Sequence, residues 1–111
     1  MSAIEMKFGI IIETNDPEKA WNAVRFANAS LKKGHAVKIF LMGAGVEMQS
    51  LNAGKYDANA QLLEFAKSGG TVLACGTCIR SRHQAATEVC PISTMNDCID
   101  MVEWADKMLT F

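Results

Sequence analysis

The sequence has too few cysteines for a disulfide scaffold, four in 111 residues, and no excess of one charge, with eleven basic against twelve acidic side chains. The first absence excludes the small secreted domains that staple a deficient core with disulfides. The second removes the electrostatic footprint that phosphate backbones and anionic membranes select, so neither nucleic acid nor a membrane is an expected partner. Long hydrophobic runs are missing as well. The longest stretch without a charged side chain, residues 68–79, is too short and too rich in glycine to cross a bilayer as a helix. The opening Met-Ser-Ala-Ile-Glu-Met-Lys lacks the basic start, apolar stretch and small-residue cleavage site of a secretory signal. There is no low-complexity segment, linker or internal repeat. The expectation is one domain over residues 1–111, in the cytoplasm. What is present supports a packed core: half the residues are apolar (50%) and about a fifth charged (21%).

Residues 6–13, M-K-F-G-I-I-I-E, form a short β-branched run of the kind buried on both faces of a parallel sheet. A helix signal follows: Asn15 or Asp16 as cap, Pro17 at the first helical position and Glu18 at the positive end of the dipole. Trp21, Val24 and Leu31, with Ala20 and Ala27, recur at helical spacing until Lys32, Lys33 and Gly34. Residues 36–42 read as a second buried strand, closed by Gly43-Ala44-Gly45 as a turn, with a loop over 46–56. Asp57 caps a helix carrying Leu62, Leu63, Phe65 and Ala66, which Gly69-Gly70 ends before a third strand at 71–74. A helical turn at 79–83, a weak strand at 88–90, a helix opened by Thr94 with Asp97 in a capping box, and a strand at 107–111 complete the pattern. Met95, Ile99 and Val102 share a face of that last helix, with Cys98 beside them. His35 reads as a surface turn residue, and Cys90 and Cys98 as core. Strands alternating with helices predict an α/β fold, a three-layer α/β/α domain on a mainly parallel sheet of about five strands.

In open α/β sheets ligands gather outside the carboxyl ends of the strands. That rule groups Thr14 and Asn15 after the first strand, Gly43 and Gly45 after the second, and Cys75 to Cys78 after the third. In V-L-A-C-G-T-C-I-R-S-R-H, Cys75 stands where a buried strand meets a helix, so unpaired backbone N–H groups and the helix dipole favour a thiolate. Gly76 admits close backbone approach, Arg80 and Arg82 add positive charge, and His83 is a candidate for the same pocket. Such a thiolate is a nucleophile or a sulfur carrier. Against this stands the ordinary fate of a strand cysteine as a small buried apolar residue.

Three readings of the CxxC remain open. Zinc would draw on Cys75, Cys78, His83 and Cys90, but the spacing lacks a second paired motif. Thioredoxin-like chemistry also places a CxxC between strand and helix, but this pair follows the third strand, and Pro91 alone stands for the proline loop of that fold. Thiol or sulfur transfer on Cys75, with Cys78 as a resolving or sharing partner, needs neither metal nor cofactor.

The K-F-G-I-I-I-E strand, the Asp-Pro helix start with A-x-x-F-A-N-A-S-L-K-K-G-H, the F-L-M-G-A-G-V turn, G-G-T-V-L-A-C-G-T-C and A-D-K-M-L-T-F together resemble the DsrE/DsrF-like family of small sulfur-relay proteins, which includes the TusD component of tRNA thiolation. The resemblance covers nearly the whole chain. It implies a parallel-sheet α/β/α domain that assembles into a homo-trimer or homo-hexamer, with the cysteine near a subunit boundary. It also implies a sulfurtransferase-like role, in which Cys75 accepts sulfane sulfur as a persulfide from a donor protein and passes it to an acceptor protein. Arg82 falls near the basic pair of those members. Cys78 departs from the TusD-like pattern, which carries small apolar residues there. An oligomeric binding or structural role, or a thiol/disulfide redox module using Cys75 and Cys78, is the alternative.

Overall fold

Strands that are apolar along their whole length pair best where helices cover both faces of the sheet. In the computed structural model, which describes residues 4–111, five strands pair in the order β4-β3-β2-β1-β5 and every pairing is parallel. The chain runs β1 (Lys7–Ile12), α1 (Pro17–Lys32), β2 (Ala36–Leu41), a 3-10 helix (Gly43–Ser50), α2 (Ala58–Lys67), β3 (Thr71–Cys75), α3 (Gly76–Ser81), β4 (Ile92–Ser93), α4 (Met95–Trp104) and β5 (Lys107–Thr110). Met1, Ser2 and Ala3, part of the stretch weighed as a secretory signal, lie outside the described residues.

The connections from β1 to β4 step in one direction across the sheet, and the last returns past three strands to the opposite edge. Right-handed crossovers therefore put α1 and α2 on one face and α4 on the other. Packing agrees, since α1 lies against α2 while α4 rests on β1 and β3. The expected three-layer α/β fold is thus present. Its core is the row Ile10, Ile12, Ile39, Leu41 and Val72 on one face of the sheet, with Val24, Leu62 and Phe65 of the helices, and Phe40 on the other face, all buried. Each such large side chain contributes about 1.5–3 kcal/mol by leaving water. Between α1 and α2 the buried Asn28 amide donates to both the Gln61 carbonyl and its Oε1, at 3.0 Å each.

Helix starts follow the sequence signals. Asp16 accepts from the Lys19 N–H at 3.0 Å, Asp57 from the Ala60 N–H at 2.9 Å, and Thr94 and Asp97 form the reciprocal capping box. Three helix ends share one geometry, a left-handed residue followed by paired backbone bonds to the last turn. After α1 and α2 that residue is Gly34 and Gly69; after α3 it is His83, with φ of 53°. The His83 N–H donates to the Arg80 carbonyl (3.0 Å) and the Gln84 N–H to that of Ile79 (3.1 Å).

Several local expectations require correction. The short helix predicted over 79–83 starts instead at Gly76, directly after the strand and with Cys75 as its N-cap residue, and ends at Ser81. Residues 88–90 are bends, not a strand, and β4 lies at Ile92–Ser93. The Cys90 N–H donates to Thr87 Oγ1 (3.0 Å) and the Thr87 N–H to the Cys90 carbonyl (3.3 Å), a local turn that uses the groups a ladder would need. The Gly43-Ala44-Gly45 turn and the first part of the 46–56 loop form the 3-10 helix, whose three-residue repeat leaves no 3.6-residue pattern to read. On α4, Cys98 and Met101 face the core, whereas the stripe of Met95, Ile99 and Val102 is exposed. His35 is half-buried against the Phe8 ring, and its Nδ1 accepts the Met6 N–H at 3.0 Å.

Candidate functional site

Because all five strands run parallel, their carboxyl ends meet on one rim, and the chain breaks there into a cleft of about 370 Å³. Cys75, Cys78 and Arg80 line it from β3 and α3, Met42 from the end of β2, and Ile92 and Met95 from β4 and α4. Cys75 is the N-cap of α3 and Cys78 its third helical residue, the same offset as Thr94 and Asp97 at α4. Cys75 makes no full capping hydrogen bond, yet this offset turns the Cys78 N–H and thiol toward its sulfur. Neither cysteine is in a disulfide.

Gly76 leaves room for β4. A methyl group on it would stand 2.8 Å from Ile92 Cγ2 and 3.2 Å from an Arg80 guanidinium nitrogen, so the arginine lies over the first turn of its own helix. On the opposite side, the Gly43 N–H donates to Cys78 Sγ at 3.2 Å. Gly43 has a left-handed φ of 54°, and Gly45 packs so tightly on the Ile12 carbonyl that any side chain there would collide with backbone. These two glycines therefore serve to bring the 3-10 helix against β1 and aim one N–H at Cys78.

The four thiols divide by environment. Burial works against a Cys75 thiolate, but the Cys78 N–H and thiol, the Thr77 N–H and the Arg80 charge outweigh it and hold Cys75 below the ordinary thiol value. Burial pushes Cys78 up, aided by the neighbouring Cys75 and opposed by the Gly43 N–H and Arg82. Burial takes Cys90 up to about 11 and raises Cys98, the latter also through the charge of Cys75. Cys75 alone is acidified.

The other expected rim residues are distributed as follows. Arg82 faces Cys78 rather than Cys75: its Nε donates to Glu47 Oε2 at 2.7 Å and its Nη1 to the Cys78 carbonyl at 3.3 Å. Asn15 donates to Glu47 at 3.4 Å, and the Arg82 hydrogen bond, then that of Asn15, holds the Glu47 carboxyl below its usual value. Thr14 accepts the Asp16 N–H at 3.0 Å and leads into α1 without lining the cleft. His83 is exposed and terminates α3. Among the described residues no three His, Cys, Asp or Glu side chains converge in a metal-binding group. Sequence reasoning missed Glu47, Met42, Ile92 and Met95. The Thr94 capping box carried the usable signal for the last two, since it marks a helix starting on this same rim.

A family model for the DsrE/DsrF-like family matches residues 6–111. The chain belongs to that family. An uncharacterized protein of Methanocaldococcus jannaschii is 35% identical, over 96% of this chain and the whole of that one. An uncharacterized protein of Methanopyrus kandleri is 33% identical over 85% of this chain and 83% of its own length. The crystal structure of the ychN protein from E. coli superposes with a TM-score of 0.83 over 97% of this chain and all of that one, at 21% identity, a likeness of fold. DsrE-family membership brings a sulfur-relay type of fold. No helix among the described residues is long and apolar enough to cross a membrane.

Proposed function

We propose that this DsrE-family protein is a sulfur carrier, a sulfurtransferase-like relay component in which Cys75 accepts sulfane sulfur as a persulfide from a donor protein and passes it to an acceptor protein. The observation that carries the reading is the acidification of Cys75 alone among four thiols, at a cleft on the strand rim. A thiolate attacks the outer sulfur of a donor persulfide, and the donor leaves as its own thiolate. Thr77 and Cys78 N–H groups with Arg80 stabilise the attacking form. Chemistry of this kind needs reduced thiols, which fits a cytoplasmic setting and the four free cysteines.

The same face supports a homo-oligomer, trimeric or hexameric. Ile92 (49% exposed), Met95 (50%), Ile99 (51%) and Val102 (45%) form an apolar stripe beside the cleft. The turn of the Cys78 thiol toward Cys75 favours a second reading, a thiol/disulfide module.

Peptide mass spectrometry after mild incubation with a persulfide donor tests the first reading. A reducible addition of one sulfur is expected on Cys78→Ser, and at early times on wild type, and is absent from Cys75→Ser. Undiminished uptake by Cys75→Ser removes Cys75 from the assignment, and a Cys75–Cys78 disulfide in wild type with no sulfur ever held by Cys78→Ser favours the redox module.

A further inference from the structure

The carrier reading uses one thiol and leaves Cys78 without a task, although this residue lines the cleft and is held in place. It is half-buried, it stands at the third helical position after Cys75, and the Gly43 N–H pins its sulfur at 3.2 Å from the side away from the helix. A cysteine that only filled space would have no need of that hydrogen bond. The Cys78 thiol is turned toward Cys75, which makes it the cleft-lining thiol beside any sulfur bound there.

We infer that Cys78 resolves the Cys75 persulfide, closing a Cys75–Cys78 disulfide and releasing the outer sulfur as hydrosulfide. The inference rests on the persulfide reading above and adds to it a second fate for the sulfur. The Sγ–Sγ bond between the two cysteines forms as the bond from Cys75 Sγ to the outer sulfur breaks. The Cys78 thiol gives up its proton, and the departing sulfur leaves with it as HS⁻. Starting from the anionic persulfide, three sulfurs, one proton and one negative charge appear on each side. The outer sulfur is reduced and the two cysteines are oxidised, so the step needs no outside oxidant. A thiol reductant, small molecule or dithiol protein, then returns the disulfide to the starting pair.

Two features fit this direction of attack. Burial keeps Cys78 protonated at rest, and transfer of that proton to the outer sulfur frees the attacking thiolate and makes HS⁻ the leaving group. The N-cap and third-residue placement brings Cys78 to the inner sulfur, while the outer sulfur extends from Cys75 into the cleft bounded by Met42, Ile92 and Met95. Intramolecular placement of this kind is equivalent to a very high local thiol concentration.

The test is anaerobic mixing of the full chain with a low-molecular-weight persulfide, with acid-quenched samples assayed for sulfide and by intact mass. Wild type should release one hydrosulfide for each Cys75–Cys78 disulfide formed. Cys78→Ser and Cys78→Ala should both hold one extra sulfur on Cys75 at least about tenfold longer, until an external thiol is added. Persistence of the wild-type persulfide as long as in the two variants overturns the inference. So does migration of the sulfur to Cys78, or a donor adduct in place of a single sulfur on the variants. If neither wild type nor the variants ever gain a sulfur, the carrier reading itself fails and this one with it.

Discussion

At the residue scale, one side-chain type takes four different roles here, set by burial and by the polar groups within reach. Cys75 and Cys90 are both buried and differ in their neighbours. Cys75 has two N–H groups, a thiol and a guanidinium, whereas Cys90 has chiefly the Thr87 hydroxyl. The difference has a measurable consequence in alkali. Folded Cys90 keeps its proton up to about pH 11, while the ordinary value is 9.0. Between those values the folded chain binds more protons than the unfolded one, so its contribution is complete below 9 and stability falls as pH rises. Urea midpoints of wild type and Cys90→Ala should run parallel at about pH 8 and converge at about pH 10.5, with a full Cys90 effect of about 2–3 kcal/mol. Curves that stay parallel throughout would remove Cys90 from the alkaline transition. For the residues of the cleft, the sequence disclosed the CxxC and the rim. It did not disclose that Glu47 takes up Arg82, because a partner 35 positions away has no local signature.

At the element scale, strands and long helices were legible because their apolar runs and caps are local: β1, β2, α1, α2 and α4 lie close to where pattern and capping residues put them. The short elements were not. The two-residue β4 is set by its pairing of Ile92 with Ala74 and Ser93 with Cys75, a tertiary event with no alternation to announce it. α3 gains its start from an N-cap cysteine, which is not a residue that helix rules favour. Its end is unusual too, since His83 takes the left-handed position that glycine fills after α1 and α2. A side chain there costs roughly 1–2 kcal/mol, part of which glycine's greater unfolded freedom offsets. His83→Gly should therefore raise stability by up to about 1 kcal/mol and leave sulfur uptake unchanged, as read by urea denaturation and mass spectrometry. A loss of uptake would give the imidazole a part in the cleft that its exposed position does not suggest.

At the scale of the whole molecule, the two faces of the sheet are covered unequally. Two packed helices lie on one face, and α4, with an apolar stripe turned outward, on the other. Burying that stripe between copies removes it from water without covering α1 or α2. Val102→Asp places a charge in it, 45% exposed in the single chain, and should lower the mass seen by light scattering toward that of one chain while the circular dichroism spectrum is kept. An unchanged mass would move the contact elsewhere. The order of strands carries one more consequence. β1 lies between β2 and β5, so Phe8, Gly9, Ile10 and Ile11 pair with residues about a hundred positions further on. During synthesis the ribosome delivers those partners last of the five strands. Until residue 107 emerges, the nascent sheet ends on one of its most apolar strands with a free row of N–H and C=O groups. The stretch of translation just before β5 appears is therefore when a chaperone, or a neighbouring nascent chain, has most to bind.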